Sequence, residues 1–173
     1  YQIVGLPDNA IRESLQRTES AIKTNHFDMP RTKIVVNLAP ADIRKSGSSF
    51  DLPIALGILG ASEQLENPEL LNEYVIMGEL SLDGSIQSIK GALPIAIQAR
   101  KEGFKGLIVP KANAREAGMV NNLQVYGVEH LTEVVDFFKD PSSLEPVVVN
   151  TREEFFCDQY IFVLTRSSIC SSR

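Results

Sequence analysis

Apolar and small residues recur at helical spacing near the start of the chain. Pro7-Asp8-Asn9 offers a helix start, and Ala10, Ile11, Ser14, Leu15, Thr18, Ala21 and Ile22 then fall on one face. Residues 26–30 break that pattern. Thr32-Lys33-Ile34-Val35-Val36-Asn37-Leu38 is short and β-branched, which predicts a strand ended by Pro40. A turn of small residues, Ser46-Gly47-Ser48-Ser49, leads to a second helix over residues 51–65. Pro53 is compatible with that helix because it falls in the first turn, where backbone donors lack partners anyway. Ser49 is the expected cap, and Asp51 suits the positive end of the helix dipole. Ile54, Ala55, Ile58, Leu59 and Leu65 supply the buried stripe.

The second half alternates in the same way. Tyr74-Val75-Ile76-Met77 predicts a strand. Leu80-Ser81-Leu82 and Ile86-Gln87-Ser88-Ile89 predict a hairpin that turns through Asp83-Gly84, a strong short-range hairpin signal. A third helix covers residues 91–102 and stops at Gly103. Leu107-Ile108-Val109 reads as a buried strand ended by Pro110, residues 111–119 as a short helix, and Leu123-Gln124-Val125-Tyr126 as a strand. A last helix over residues 130–139 points Leu131, Val134, Val135 and Phe138 inward. The series implies an α/β (α+β) domain over residues 1–140 with some parallel strand pairing. Asp140-Pro141-Ser142-Ser143 and Glu145-Pro146 then read as a linker over residues 141–156.

Composition narrows the function. A 43% hydrophobic share is enough for a packed core in 173 residues. The net charge of −5 argues against a dedicated nucleic-acid surface. Two basic pairs, Arg44-Lys45 and Arg100-Lys101, are read as solvated surface charge. No run approaches the roughly 18 apolar residues that span a bilayer, and no signal peptide opens the chain, so a cytoplasmic location is expected. The opening Tyr1-Gln2-Ile3-Val4 reads as a fragment that starts inside or just before a strand. Both cysteines, Cys157 and Cys170, lie near the end, which excludes a disulfide framework in the body. His26 and His130 are isolated, with no metal-ligand spacing around them. The dipeptide Gly-Lys never occurs, so the lysine of a phosphate-binding loop is missing and no ATP hydrolysis by that route is expected.

Three stretches are distinctive: Gly47-Ser48-Ser49-Phe50-Asp51-Leu52-Pro53-Ile54-Ala55, Gly78-Glu79-Leu80-Ser81-Leu82-Asp83-Gly84, and Ile108-Val109-Pro110-Lys111-Ala112-Asn113-Ala114. With Val4-Gly5-Leu6-Pro7-Asp8 and Val36-Asn37-Leu38-Ala39-Pro40-Ala41-Asp42, they resemble the Lon-protease-like domain of the ComM/YifB family of magnesium-chelatase-like AAA+ ATPases. The resemblance covers about residues 1–150. It implies a Lon protease-like, ribosomal protein S5 domain 2-like fold whose first strands lie upstream of what corresponds to Tyr1. It also implies an AAA+ module beyond the linker. That module, not this fragment, would carry ATP and magnesium, form a homo-oligomer (a hexamer in the parent), and act on DNA in branch migration, recombination and natural transformation. No cofactor and no membrane partner are expected for the fragment itself.

The same resemblance tests a peptidase residue by residue. Lon-type peptidases use a serine activated by a lysine. The motif places Ser49 at the nucleophile position, but Phe50-Asp51 stands where peptidases carry small residues. The lysine position falls on Leu93, which cannot take a proton. Lys90 is a remote rescue only if the third helix already begins there, since positions three apart share a face. The preferred reading gives the fragment no catalytic residue: Ser49 caps a helix, Gly47 permits a turn and Glu79 ties down a loop. It is a non-catalytic accessory domain, with a Ser–Lys peptidase and a DNA-contacting module as alternatives. Residues 157–173 match nothing upstream and are read as a non-native or disordered tail outside the main core.

Overall fold

The computed structural model describes residues 2–5, 7–39 and 47–149. Arg44, Lys45, Ala41, Asp42 and the 157–173 tail, with its Tyr160, Phe162 and Leu164, lie outside the described residues.

Three parallel strands form the middle layer, β3 (Tyr74–Ile76), β6 (Gly106–Pro110) and β7 (Gln124–Val128), in the order β3-β6-β7. The outer two pair with β6 in register, Tyr74 and Gln124 both opposite Gly106. All five residues of β6 are buried, as a central parallel strand covered on both faces requires. Successive side chains point to opposite faces, and the two cores divide accordingly. Tyr74, Ile76, Ile108, Tyr126 and Val128 belong to one apolar cluster, which α2 (Asp51–Ala61) and α5 (Leu131–Lys139) complete. Val75, Leu107, Val109 and Val125 belong to the other, closed by α3 (Ala92–Glu102) and α4 (Lys111–Gly118). Helix, sheet and helix thus stack as three layers, the α/β class expected from the sequence.

A smaller βαβ unit opens the chain. β1 (Gln2–Val4) runs parallel to β2 (Val35–Asn37), and α1 (Asn9–Thr24) joins them. Asp8 caps α1 by accepting from the Ile11 N–H at 2.9 Å. Ile11, Ser14, Thr18, Ala21 and Ile22 are buried along α1, the face that the spacing predicts. The strand predicted over residues 32–38 pairs only over Val35–Asn37, and the helix predicted over residues 51–65 ends at Ala61.

The Asp83-Gly84 hairpin joins β4 (Glu79–Leu80) and β5 (Ile86–Gln87), and its tip is wedged between two helices. Gly84 has φ +95, and a Cβ there would lie 2.3 Å from the Asn25 Nδ2. That amide itself donates to the Ala21 carbonyl at 2.8 Å and the Asp83 carbonyl at 2.9 Å. Only glycine fits this close left-handed turn. The Asp83 carboxyl is held below its ordinary pKa, first by the Ser85 backbone N–H and then by its hydroxyl.

His130 takes a structural role: its ring caps α5, accepting from the Thr132 N–H, while Nε2 lies 3.3 Å from the Asp83 carbonyl. One expectation changes here. In α5, Phe137 takes the fully buried place given to Val135, which is only half-buried. A helical face runs through residues i, i+3, i+6 and i+7, so Leu131, Val134, Phe137 and Phe138 share it. Among the described residues, no helix is long and apolar enough to cross a membrane.

Candidate functional site

The turn Gly47-Ser48-Ser49, which carries the predicted nucleophile position, feeds straight into α2. Ser49 does not cap that helix. The cap position is Phe50, with helical backbone angles and no side-chain hydrogen bond, so the cap role predicted for Ser49 is corrected. Instead the backbone around Ser49 is clamped by Gly78. The Gly78 N–H donates to the Ser49 carbonyl at 2.9 Å, and the Gly78 carbonyl accepts from the Leu52 N–H at 3.0 Å. A Cβ on Gly78 would lie 3.1 Å from both Leu52 and Ile86 side chains, so any larger residue there would have to push these neighbours aside. Glu79 ties the loop down as expected, accepting a hydrogen bond from the Ser48 hydroxyl. Asp8 adds a second tie by accepting from the Gly47 N–H at 3.0 Å.

Asp51 does much more than complement a dipole. Its side chain is fully buried and gathers donors from one helix, α1, and one strand, β4. The Arg17 guanidinium donates from Nε at 2.6 Å and from Nη2 at 3.0 Å, a two-point grip on one carboxylate. The Ser14 hydroxyl and, at 3.2 Å, the Leu80 N–H complete the set. Arg17 also donates to the Ala10 carbonyl at 3.0 Å. Asp51 raises the Arg17 pKa, so this cation stays charged. Sequence reasoning missed the pair. Its signal was the polar Ser14 and Thr18 on the apolar face of α1, opposite a carboxylate that opens an otherwise apolar helix.

The other predicted positions lie elsewhere. Leu93 packs on the second core, and its N–H donates to Glu116 of α4 at 3.2 Å. Lys90 is exposed and precedes the helix: Gly91, at φ +79, caps α3, which begins at Ala92. The helical phase that would have carried Lys90 onto the face of Leu93 is therefore absent. No hydrogen bond joins Ser49 to Lys90 among the described residues. Arg100 and Lys101 sit in the last turn of α3, where cations complement the negative helix end.

Asn113, in the third motif, is a structural clamp. Its side-chain oxygen accepts from the Ile89 N–H and its amide donates to the Ile89 carbonyl, both at 2.9 Å. Asn113→Ala would leave both backbone groups buried and unpaired, and should cost at least about 2 kcal/mol in urea unfolding. A change of less than about 0.5 kcal/mol, the size of an ordinary surface substitution, would contradict this account.

An apolar groove of about 550 Å³ runs between β2 and α2, past Ile34, Val36, Phe50, Pro53 and Ile54. Among the described residues of its lining Lys33 alone is ionisable. Among the described residues no cluster of His, Cys, Asp and Glu could hold a metal ion.

Over residues 1–113 the chain matches the family described as subunit ChlI of Mg-chelatase. It is 41% identical over 143 residues to the uncharacterized protein YifB of Escherichia coli, and 40% identical over 144 residues to the competence protein ComM of Haemophilus influenzae. Each match covers 83% of this chain and 28% of the relative, so the chain spans little more than a quarter of their length. The chain is also 26% identical over 139 residues to the archaeal Lon protease of Thermococcus kodakarensis, covering 78% of this chain and 21% of that protein.

Proposed function

The chain belongs to the ChlI family, with YifB and ComM among its relatives, and from that premise we propose that it is a non-catalytic accessory domain of a ComM-type AAA+ ATPase. The observation that carries this reading is the fate of the two peptidase positions. The segment around Ser49 is locked by Gly78, Glu79 and the Arg17–Asp51 pair. At the other position stands Leu93, an apolar side chain packed on the second core. A serine hydroxyl needs a neighbouring base to become a nucleophile, and neither Leu93 nor Lys90 supplies one.

In this reading the motor lies in another part of the protein, where ATP and magnesium bind and a hexamer assembles. This domain guides assembly or substrate in DNA branch migration during recombination and natural transformation. Its own affinity for nucleic acid should be weak, because phosphate contacts supply most non-specific affinity and this chain carries a net charge of −5.

Three measurements test the proposal. A serine-reactive phosphonate probe should leave Ser49 unlabelled, and Ser49→Ala should leave the thermal midpoint unchanged, since that hydroxyl caps nothing. Labelling of Ser49 that disappears in Lys90→Ala would establish the peptidase instead. Fluorescence anisotropy with single-stranded, duplex and four-way-junction DNA at about 50 and 200 mM salt should show no tight complex. Submicromolar binding would turn the reading toward a DNA-contacting module, with Arg44, Lys45, Arg100 and Lys101 as the first residues to mutate.

A further inference from the structure

The stretch that composition marks as a linker makes specific contacts. After α5, a 3-10 turn at Pro141–Ser143 leads the chain across the open edge of the three-stranded sheet. Leu144 packs on the first core and Val147 on the second, so the segment joins the two cores around the rim of β7. The Val147 N–H donates to the Val125 carbonyl at 2.7 Å, a backbone bond on the outer edge of β7. Exposure alternates with the period of a strand: Val147 and Val149 are half-buried, while Val148 between them is 89% exposed. The seat is shaped for these branched side chains. A Cβ on Gly118, the last residue of α4, would lie 2.9 Å from Val149 Cγ2 and 3.5 Å from Val147 Cγ1.

We infer that residues 144–149 are a docked strap, an added edge strand whose seat is formed by the outer edge of β7 and by Gly118 of α4. Two physical consequences follow. The strap covers the strand edge that would otherwise offer unpaired backbone groups to another chain. It also ties this segment to α4 and β7, so that a force applied to residues 144–149 is passed to those elements. This second consequence rests on the proposed reading as a domain joined to a motor. The docking itself does not.

The test is amide hydrogen exchange on the whole 173-residue chain, without nucleotide or DNA, so that its outcome is independent of the motor. The Val147 amide should exchange at least about tenfold more slowly than that of Val148, as a bonded edge amide does beside a solvated one. Gly118→Val should fill the seat and abolish that difference, while the amides of β6 keep their protection. Should Gly118→Val unfold α4, Val147→Asp decides: burying a charge in the seat should speed exchange of the position-147 amide, which bonds the Val125 carbonyl in the unaltered chain, and leave β6 unchanged. Equal exchange at Val147 and Val148 in the unaltered chain would overturn the inference, as would a Val147→Asp variant in which the position-147 amide exchanges as slowly as before.

Discussion

Arg17→Met should destabilise the domain by about 3–5 kcal/mol, the size expected when one partner of a buried ion pair is removed. Asp51 is fully buried, while the Arg17 side chain keeps 21% of its exposure. Losing the arginine therefore strands the partner that water cannot reach. The Ser14 hydroxyl and the Leu80 N–H remain, but two neutral donors do not balance a full charge in a low-dielectric site. Methionine keeps much of the aliphatic stem, which separates the loss of charge from a loss of packing. Urea unfolding of Arg17→Met, Asp51→Asn and the double variant closes the cycle. The double variant should be more stable than the sum of the single losses implies, by about 0.5–3 kcal/mol. A cost below about 1 kcal/mol for Arg17→Met would class the pair with ordinary surface salt bridges and refute its role in holding α1 to α2.

This pair also marks where the sequence stops being legible. The elements themselves could be read, because periodicity is local: the face of α1, the buried strand at Leu107-Ile108-Val109, the Asp83-Gly84 turn and the end of α3 at Gly103 all stand as the spacing predicts. Contacts between distant residues leave no such local trace. Arg17 and Asp51 are 34 positions apart, and nothing in either neighbourhood names the other. Asn113 and Ile89, and His130 and Asp83, are likewise brought together only by the folded layers. Ser49 shows the opposite error. A serine just before a helix is the usual cap, yet here the approach of Gly78 settles the backbone and Phe50 takes the cap position with helical angles. In the linker stretch, Pro and Ser around residue 141 describe the turn, while the packing of Val147 on the second core leaves no mark in composition.

Phe137→Ala should cost about 3–5 kcal/mol, comparable to the loss of Arg17 but by a different route. Phe137 is fully buried and stands at the centre of an aromatic group. Its ring lies 4.7 Å from Tyr126 in a tilted contact, and 5.3 Å from Tyr74 and 5.6 Å from Phe138 edge-to-face. Tyr74 and Tyr126 belong to the two outer strands of the sheet, so one side chain of α5 spans both sides of the central strand. Truncation removes the transfer energy of the ring and leaves a cavity that these strands cannot collapse without breaking their pairing with β6. It also forfeits edge-to-face contacts worth about 0.5–1.5 kcal/mol each. The thermal midpoint should fall by on the order of 10 °C, at about 2–4 °C per kcal/mol for a chain of this size. Phe137→Leu fills more of the space and should lose less, while Val135→Ala, at a half-buried position of the same helix, should lose least. If Val135→Ala proved the more damaging of the two alanine variants, the inward face of α5 would have to be redrawn.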